Sequence, residues 1–213
     1  MMTQPQLHSV TGIILAGGRA TRMGGTDKGL VELAGQSMVD HVAQRLAPQT
    51  GALVINANRN RVAYEQRGWP VVPDAFGEFA GPLAGMAAGL TASTTAWAVT
   101  VPCDSPLVPP DLVARLSSAV HADNADLAVA WGAGRMQPVF ALLPRRLLPD
   151  LEAFLRDGGR KIDQWYARHR VAQADFEDCA EAFLNVNTPE DRDALEARLT
   201  RLEAPGAAQP GEL

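Results

Sequence analysis

The sequence predicts an α/β protein with a single domain, built as a three-layer sandwich with helices on both faces of a mostly parallel sheet. Short apolar segments alternate with longer amphipathic ones through the first half of the chain, and that alternation is typical of β-α units. The length of 213 residues suits one domain. Polar residues directly follow the predicted strands, as they do where a ligand binds beyond the carboxyl ends of a parallel sheet.

The first half of the chain supplies four predicted strands, at 10–16, 52–55, 70–73 and 96–101. The segments between and after them predict helices at 38–47, 60–67, 82–90 and 111–120. Two of these helices have recognisable starts, because Ser37 is a favourable N-cap and Pro82 suits a first helical position. No linker divides this half from the rest.

The second half is less regular. Its predicted strands lie at 126–131, 138–143, 170–174 and 182–186, and its predicted helices at 145–156 and 161–168. A last helix is predicted after Thr188, with Pro189 at its first position. We therefore expect one domain over residues 1–203, with a more regular first half at 10–110 and a less regular second half at 111–203. The Ala-, Pro- and Gly-rich segment 204–213 is predicted to be a disordered tail.

The segment from Leu15 to Leu30 reads LAGGRATRMGGTDKGL and follows the first predicted strand. Its first two glycines, Gly17 and Gly18, have no Cβ, so they permit positive φ and let a ligand approach the backbone closely. Three cations then occur in an otherwise acidic chain, namely Arg19, Arg22 and Lys28. Free backbone N–H groups beside clustered cations predict a site for a polyanion, such as a di- or triphosphate.

Two common phosphate-binding loops are excluded by spacing. A P-loop requires Gly-Lys-Ser/Thr, whereas Lys28 is followed by Gly29 and Leu30. The dinucleotide fingerprint G-x-G-x-x-G has no match in this segment.

Three further polar residues are placed where predicted strands end, namely Asn56, Asp74 and Asp104. A carboxylate at a strand end, facing a triphosphate, is well placed to hold Mg²⁺, and Asp104 is our candidate. Asp74 and Asn56 are candidates for contacts to the nucleoside part of such a ligand. Simpler alternatives remain for all three: a turn before Ser105, an Asx-turn and a helix cap.

The pattern LAGG-x-x-x-RMGG-x-DKGL resembles the signature of nucleotidyltransferases that activate a phosphate or sugar phosphate with an NTP. In detail it is most similar to the molybdenum cofactor guanylyltransferase family. The resemblance implies a Rossmann-like, GT-A-like fold and transfer of GMP from GTP to the terminal phosphate of molybdopterin, with Mg²⁺ as cofactor. It covers about residues 10–110 and 185–190 and weakens between about 125 and 180.

The resemblance also implies roles for individual residues. Those expected to contact GTP are Leu15, Ala16, Gly17, Lys28, Asn56, Asp74 and Asp104. Those expected to serve catalysis are Arg22, Lys28 and Asp104, of which Asp104 holds the metal. Asn185 and Asn187 resemble an asparagine pair on the pterin side of the cleft, although a strand-to-helix turn accounts for them equally well. We therefore expect a cleft with two sides, formed by a nucleotide-binding half at 10–110 and an acceptor-binding half at 111–203.

Other activities stay open from the sequence. A relative could use CTP with molybdopterin, or an NTP with a sugar or polyol phosphate, and a non-enzyme could carry the cofactor or sense GTP. The net charge of −5 argues against broad nucleic-acid binding. Without a signal peptide or an apolar run of membrane-spanning length, we expect a cytoplasmic monomer away from membranes. The expected partners are other molybdenum cofactor biosynthesis proteins or recipient molybdoenzymes.

Overall fold

The computed structural model describes residues 9–18, 27–77 and 81–203. Its nine strands are β1 Val10–Leu15, β2 Glu32–Leu33, β3 Gln36–Ser37, β4 Ala52–Asn56, β5 Val71–Val72, β6 Trp97–Pro102, β7 Leu127–Gly132, β8 Arg135–Pro144 and β9 Val171–Asp175. Seven of them form one sheet in the order β5-β4-β1-β6-β8-β7-β9, while β2 and β3 form a separate hairpin.

Seven α-helices are described in these residues: α1 Met38–Leu46, α2 Arg61–Glu65, α3 Pro82–Ala92, α4 Leu112–Ala122, α5 Leu148–Arg156, α6 Ile162–Tyr166 and α7 Pro189–Glu203. Short 3₁₀ segments occupy Lys28–Leu30, Ala47–Gln49, Arg145–Leu147 and Glu177–Phe183.

The large sheet is parallel except for β8, which pairs antiparallel with β6 on one side and β7 on the other. The pairs β1–β4, β1–β6, β4–β5 and β7–β9 are all parallel. Because β8 runs against its neighbours, its amino end lies at the same edge of the sheet as their carboxyl ends. That edge is where ligands bind in sheets of this class.

Helices cover both faces of the sheet, which confirms the predicted three-layer architecture. Helices α1 and α4 pack on one face, in the apolar cluster that contains Ile14 and Leu116. Helices α3, α5 and α6 pack on the other face, in the cluster that contains Ile13, Met86 and Trp165. The consecutive residues Ile13 and Ile14 thus bury their side chains on opposite faces, as the pleat of a strand requires.

A third, smaller apolar cluster attaches the end of the chain to its beginning. Leu195 and Leu199 of α7 are buried against Leu33 and Met38, beside the hairpin β2–β3. The backbone N–H of Ala34 also donates to the Glu196 carboxylate at 3.1 Å. The last helix therefore packs next to the segment that follows the glycine-rich loop.

The predicted strand at 182–186 is wrong. Residues Glu177–Phe183 form a 3₁₀ segment, and the chain then continues without regular structure to α7. Phe183 is buried because its ring packs edge-on against Phe140, with ring centroids 4.8 Å apart. Val186 is buried as well, and its N–H donates to the Asp104 carbonyl at 2.9 Å. Packing against the sheet, and not strand pairing, explains the apolar residues here.

The predicted disordered tail, 204–213, lies outside the described residues. Among the helices that are described, none combines the length and the apolar character needed to cross a bilayer.

Candidate active site

A cavity of about 790 Å³ opens at the carboxyl edge of the sheet. Its lining includes every residue that we expected to contact GTP, as well as one of the two asparagines: Leu15, Ala16, Gly17, Lys28, Asn56, Asp74, Asp104 and Asn185. Arg22 lies outside the described residues. The structure thus brings together the predicted residues that it describes, and their roles remain predictions.

Strand register explains why these residues meet. Leu15 at the end of β1 is aligned with Asn56 on one side and with Pro102 on the other. Asn56 is in turn aligned with Val72, two residues before Asp74. The four strands β5, β4, β1 and β6 therefore end level, so the residues that follow them share one edge.

The Asp74 carboxylate is held by two asparagines. Asn56 Nδ2 donates to Asp74 Oδ1 at 2.9 Å, and Asn58 Nδ2 donates to Asp74 Oδ2 at 2.8 Å. The Asp74 N–H donates back to Asn58 Oδ1 at 2.8 Å. An ionised carboxylate has about four acceptor positions, so Asp74 keeps acceptor capacity for a ligand while its orientation is set.

Glycine suits position 17 for a reason that differs from our expectation. Its φ is not positive, so the left-handed region plays no part. Instead, a Cβ at Gly17 would lie 3.0 Å from Asn58 Nδ2 and 3.2 Å from Asn56 Oδ1, whereas a Cβ at Gly18 would meet nothing within 4 Å. The glycine makes room for the two amides that hold Asp74.

We expect Gly17→Ala to weaken nucleotide binding by about tenfold, the equivalent of one displaced hydrogen bond at roughly 1.4 kcal/mol. The added methyl group presses on Asn56 and Asn58 and so moves Asp74. Titration with GTP by calorimetry measures the loss, and Gly18→Ala is the matched control because its methyl group enters open space. Equal affinity in the two variants would contradict this role of Gly17.

Lys28 lies at the centre of a second polar group. Its Nζ donates to Asp104 Oδ2 at 3.0 Å and to Asn187 Oδ1 at 2.5 Å. The side chains of Lys28 and Asp104 are only 22% and 17% exposed, so water screens this ion pair less than it screens a surface pair. We expected Asn187 to lie apart from the residues that contact GTP. That expectation about its position is wrong, because Asn187 contacts Lys28.

The start of α7 fixes the backbone of Asn187. Asp191 Oδ2 accepts from the N–H groups of Asn187 and Thr188 at 3.0 and 2.9 Å, and Thr188 Oγ1 accepts from the Asp191 N–H at 3.1 Å. The backbone hydrogen bonds lower the pKa of Asp191. This reciprocal arrangement is a capping box. Asn185 is fixed separately, since its Oδ1 accepts from the Ser105 hydroxyl at 2.6 Å.

Asp27 and Tyr64, which sequence reasoning missed, form a buried contact directly before Lys28. The buried Asp27 carboxylate accepts from the Tyr64 hydroxyl at 2.6 Å and from Asn60 Nδ2 at 3.1 Å. Burial raises the pKa of Tyr64, and the nearby Cys103 and Asp27 raise it further. Gly29 leaves the space that the Tyr64 hydroxyl occupies. These contacts fix the backbone beside Lys28.

The two cysteines, Cys103 and Cys179, are unpaired. Cys103 lines the cavity next to Asp104, but burial raises the pKa of its thiol well above the usual range, and the charges of Asp104 and Asp27 add to that effect. Since the thiolate is the nucleophilic form, Cys103 is poorly suited to nucleophilic attack at neutral pH.

Strand β8 supplies a wall of the cavity that the sequence did not predict. We call this set the β8 wall; it consists of Arg135, Gln137, Pro138, Val139 and Phe140. The expected sheet was mostly parallel, but no direction was assigned to this strand, so its amino end was not placed at the ligand edge. Two signals were available: a proline inside a strand, here Pro138, marks an edge or a bulge, and the connection from Gly132 to Arg135 is too short for a parallel crossover.

Comparisons with known proteins agree with this geometry. The family model of the MobA-like NTP transferase domain matches residues 12–174. The molybdenum cofactor guanylyltransferase of Cupriavidus pinatubonensis is 54% identical over 193 residues, which cover 88% of this chain and 96% of the relative. That of Shewanella sp. strain ANA-3 is 48% identical over 192 residues, covering 90% and 98%.

A solved structure supports the fold. Molybdopterin-guanine dinucleotide biosynthesis protein A from Archaeoglobus fulgidus superposes with a TM-score of 0.74 at 22% identity, covering 90% of this chain and 99% of that one. At 22% identity, this structural similarity supports the architecture alone. Together with the family model and the relatives, it leads to one conclusion. The chain belongs to the MobA-like NTP transferases and, among them, to the molybdenum cofactor guanylyltransferases.

Proposed function

We propose that this protein transfers GMP from GTP to the terminal phosphate of molybdopterin, which yields molybdopterin guanine dinucleotide and pyrophosphate. The observation that carries the proposal is the meeting of Lys28 and Asp104 in a cavity whose other end holds the fixed Asp74 carboxylate. Lys28 and the candidate metal ligand Asp104 would bind the phosphates of GTP, and the Asp74 carboxylate would accept hydrogen bonds from the base.

In the proposed reaction, an oxygen of the molybdopterin phosphate forms a bond to the α-phosphorus of GTP. The bond from the α-phosphorus to the oxygen that bridges it to the β-phosphorus breaks, and pyrophosphate leaves with that electron pair. A phosphate monoester has a second pKa of about 6, so it is largely an anion at neutral pH and needs no general base. A reaction that needs no general base is consistent with the described cavity lining, which contains neither His nor Glu.

The donor set at the strand end suits Mg²⁺ bound together with substrate phosphates. No group of three or more His, Cys, Asp or Glu side chains forms a ready metal cage in the described part of the chain. Mg²⁺ commonly takes one or two carboxylates plus phosphate oxygens and water, and Asp104 supplies one carboxylate to the cavity. When bound there, the metal would offset the negative charge that develops on the phosphate oxygens.

Lys28 would have two successive partners. Without substrate its ammonium group neutralises Asp104 at 3.0 Å. In the proposed complex it would turn toward the β- and γ-phosphates and stabilise the departing pyrophosphate. Catalysis would then rest on positioning and on charge neutralisation.

Asp74 would read guanine by accepting hydrogen bonds from its ring N1–H and exocyclic amino group. Adenine lacks this adjacent pair of donors, and cytosine presents a different edge. Asn56 and Asn58 would hold the carboxylate in the orientation that this contact needs.

The test is pyrophosphate release by the intact protein with Mg²⁺ and each combination of GTP, CTP, ATP or ITP with molybdopterin or a sugar phosphate. We expect turnover with GTP and molybdopterin, and a roughly tenfold or larger loss with ITP, which lacks the exocyclic amino group. Faster turnover with CTP or with a sugar phosphate would assign the protein to another transfer reaction. GTP binding without turnover would indicate a carrier or sensor.

A further inference from the structure

We propose that the β8 wall binds the acceptor substrate, and that Arg135 contacts its phosphate. This inference rests on the proposed function and extends it to residues within the segment of the chain where the family resemblance weakens. The charged side chains among the described lining residues are Asp27, Lys28, Asp74, Asp104 and Arg135.

Four of these five side chains already have protein partners. Lys28 pairs with Asp104, Asp27 accepts from Tyr64, and Asp74 accepts from two asparagines. The Arg135 side chain makes no hydrogen bond or ion pair with residues that the structure describes. Arg135 therefore presents a cation to the cavity that no described carboxylate neutralises.

The backbone that carries Arg135 is well fixed. It follows a two-residue hairpin turn, in which Ala133 and Gly134 have positive φ values of 55° and 69°, a feature of the type I′ turns that suit tight hairpins. The Gly134 N–H donates to Glu177 at 2.8 Å, and Gln137 Nε2 donates to the Gly132 carbonyl at 2.9 Å. The position of Arg135 is thus preorganised, although its side chain is exposed.

Beyond Gln137 the strand bulges. Val129 and Ala130 are neighbours in β7, yet they pair with Ala141 and Gln137 of β8, so residues 138–140 have no partner in β7. Two hydroxyl groups support this bulge: Tyr166 donates to the Pro138 carbonyl at 2.7 Å, and Thr100 donates to the Val139 carbonyl at 2.6 Å. Bulges commonly re-aim a strand beside an active site, and this one lines the cavity.

The position of β8 in the sheet indicates that the β8 wall faces the acceptor and not the nucleotide. Asp74 follows β5 and Asn56 ends β4, both on one side of β1, whereas β8 lies on the other side, beyond β6. A nucleotide that spans from Asp74 to Asp104 leaves the β8 side of the cavity for the acceptor. The acceptor phosphate must approach an already negative triphosphate, and an arginine there would offset the repulsion and bind the phosphate with two N–H groups.

The experiment compares wild-type protein with Arg135→Gln, Arg135→Lys and the control Arg45→Gln, each verified as folded by its melting temperature. Arg45 is also exposed, but it lies on α1 and does not line the cavity. Equilibrium binding of molybdopterin and of GTP is measured separately for each protein. We expect Arg135→Gln to weaken molybdopterin binding by about 10- to 100-fold with unchanged GTP affinity, Arg135→Lys to lose less, and Arg45→Gln to match wild type.

The remaining outcomes separate this inference from the proposed function. Unchanged molybdopterin affinity in Arg135→Gln, or no molybdopterin binding by wild type, would overturn the inference. An equal loss of GTP affinity would overturn it too, because Arg135 would then serve the nucleotide. A selective loss of molybdopterin binding in a protein that releases no pyrophosphate would support the role of Arg135 while refuting the proposed transfer.

Discussion

Asp104→Asn is expected to lower the rate of pyrophosphate release by about 100- to 1,000-fold or more, the range seen when a group that stabilises transition-state charge is removed. The amide has nearly the shape of the carboxylate but lacks its charge, so it would hold Mg²⁺ poorly beside the substrate phosphates. The fold should tolerate the change, because it is the backbone carbonyl of Asp104, and not its side chain, that accepts the Val186 N–H. Initial rates at saturating GTP and molybdopterin measure the effect.

Asp123→Asn is the matched control for this variant. Asp123 is an exposed aspartate at the end of α4, and it does not line the cavity. We expect it to keep wild-type turnover. A folded Asp104→Asn protein with a near wild-type rate would remove Asp104 from the metal role.

Lys28→Met is expected to weaken GTP binding by about 10- to 100-fold, the cost of a lost charged hydrogen bond, and to lower kcat as well. Methionine keeps much of the length of the side chain but removes the ammonium group that would meet the β- and γ-phosphates. The same substitution leaves the Asp104 carboxylate without its described cationic partner. GTP titration and single-turnover rates give the two effects separately, and Lys28→Arg tests whether charge alone restores them.

A double-mutant cycle with Asn187→Ala then tests the contact between Lys28 and Asn187. Since Asn187 Oδ1 lies 2.5 Å from Lys28 Nζ, Asn187→Ala should weaken GTP binding in the wild-type background and have little further effect once Lys28 is methionine. Coupling between contacting residues is typically about 0.5–3 kcal/mol. Additive effects on GTP binding would mean that Asn187 acts independently of Lys28, as a purely pterin-side residue would.

The local sequence pattern was sufficient to predict which residues form the nucleotide side of this cavity. The apolar segment before Gly17 predicts a buried strand, and the polar residues Asn56, Asp74 and Asp104 each follow a predicted strand. Parallel strands place their carboxyl ends at one edge, so a topological rule was enough to bring these residues together. The structure confirms that meeting through the aligned ends of β4, β1 and β6.

Local pattern was also misleading in one place. Phe183 and Val186 are apolar residues in a short segment, and that spacing predicted a strand. In the structure they fill separate places in the interior, one against Phe140 and the other in the cluster below α7. Burial alone does not distinguish a strand from an irregular segment that packs on a sheet.

By itself, then, the sequence determined the α/β architecture, the glycine-rich loop and the carboxylates at the strand ends, because these depend on short-range periodicity and on chain direction. Only the tertiary structure decided that β8 inserts between β6 and β7, which brings Arg135 to the ligand edge, and that Asn187 meets Lys28 from 159 positions away in the chain. Such contacts leave no mark on local periodicity. They arise because the packing of β8 between β6 and β7, and of α7 against the hairpin β2–β3, brings distant segments to one cavity.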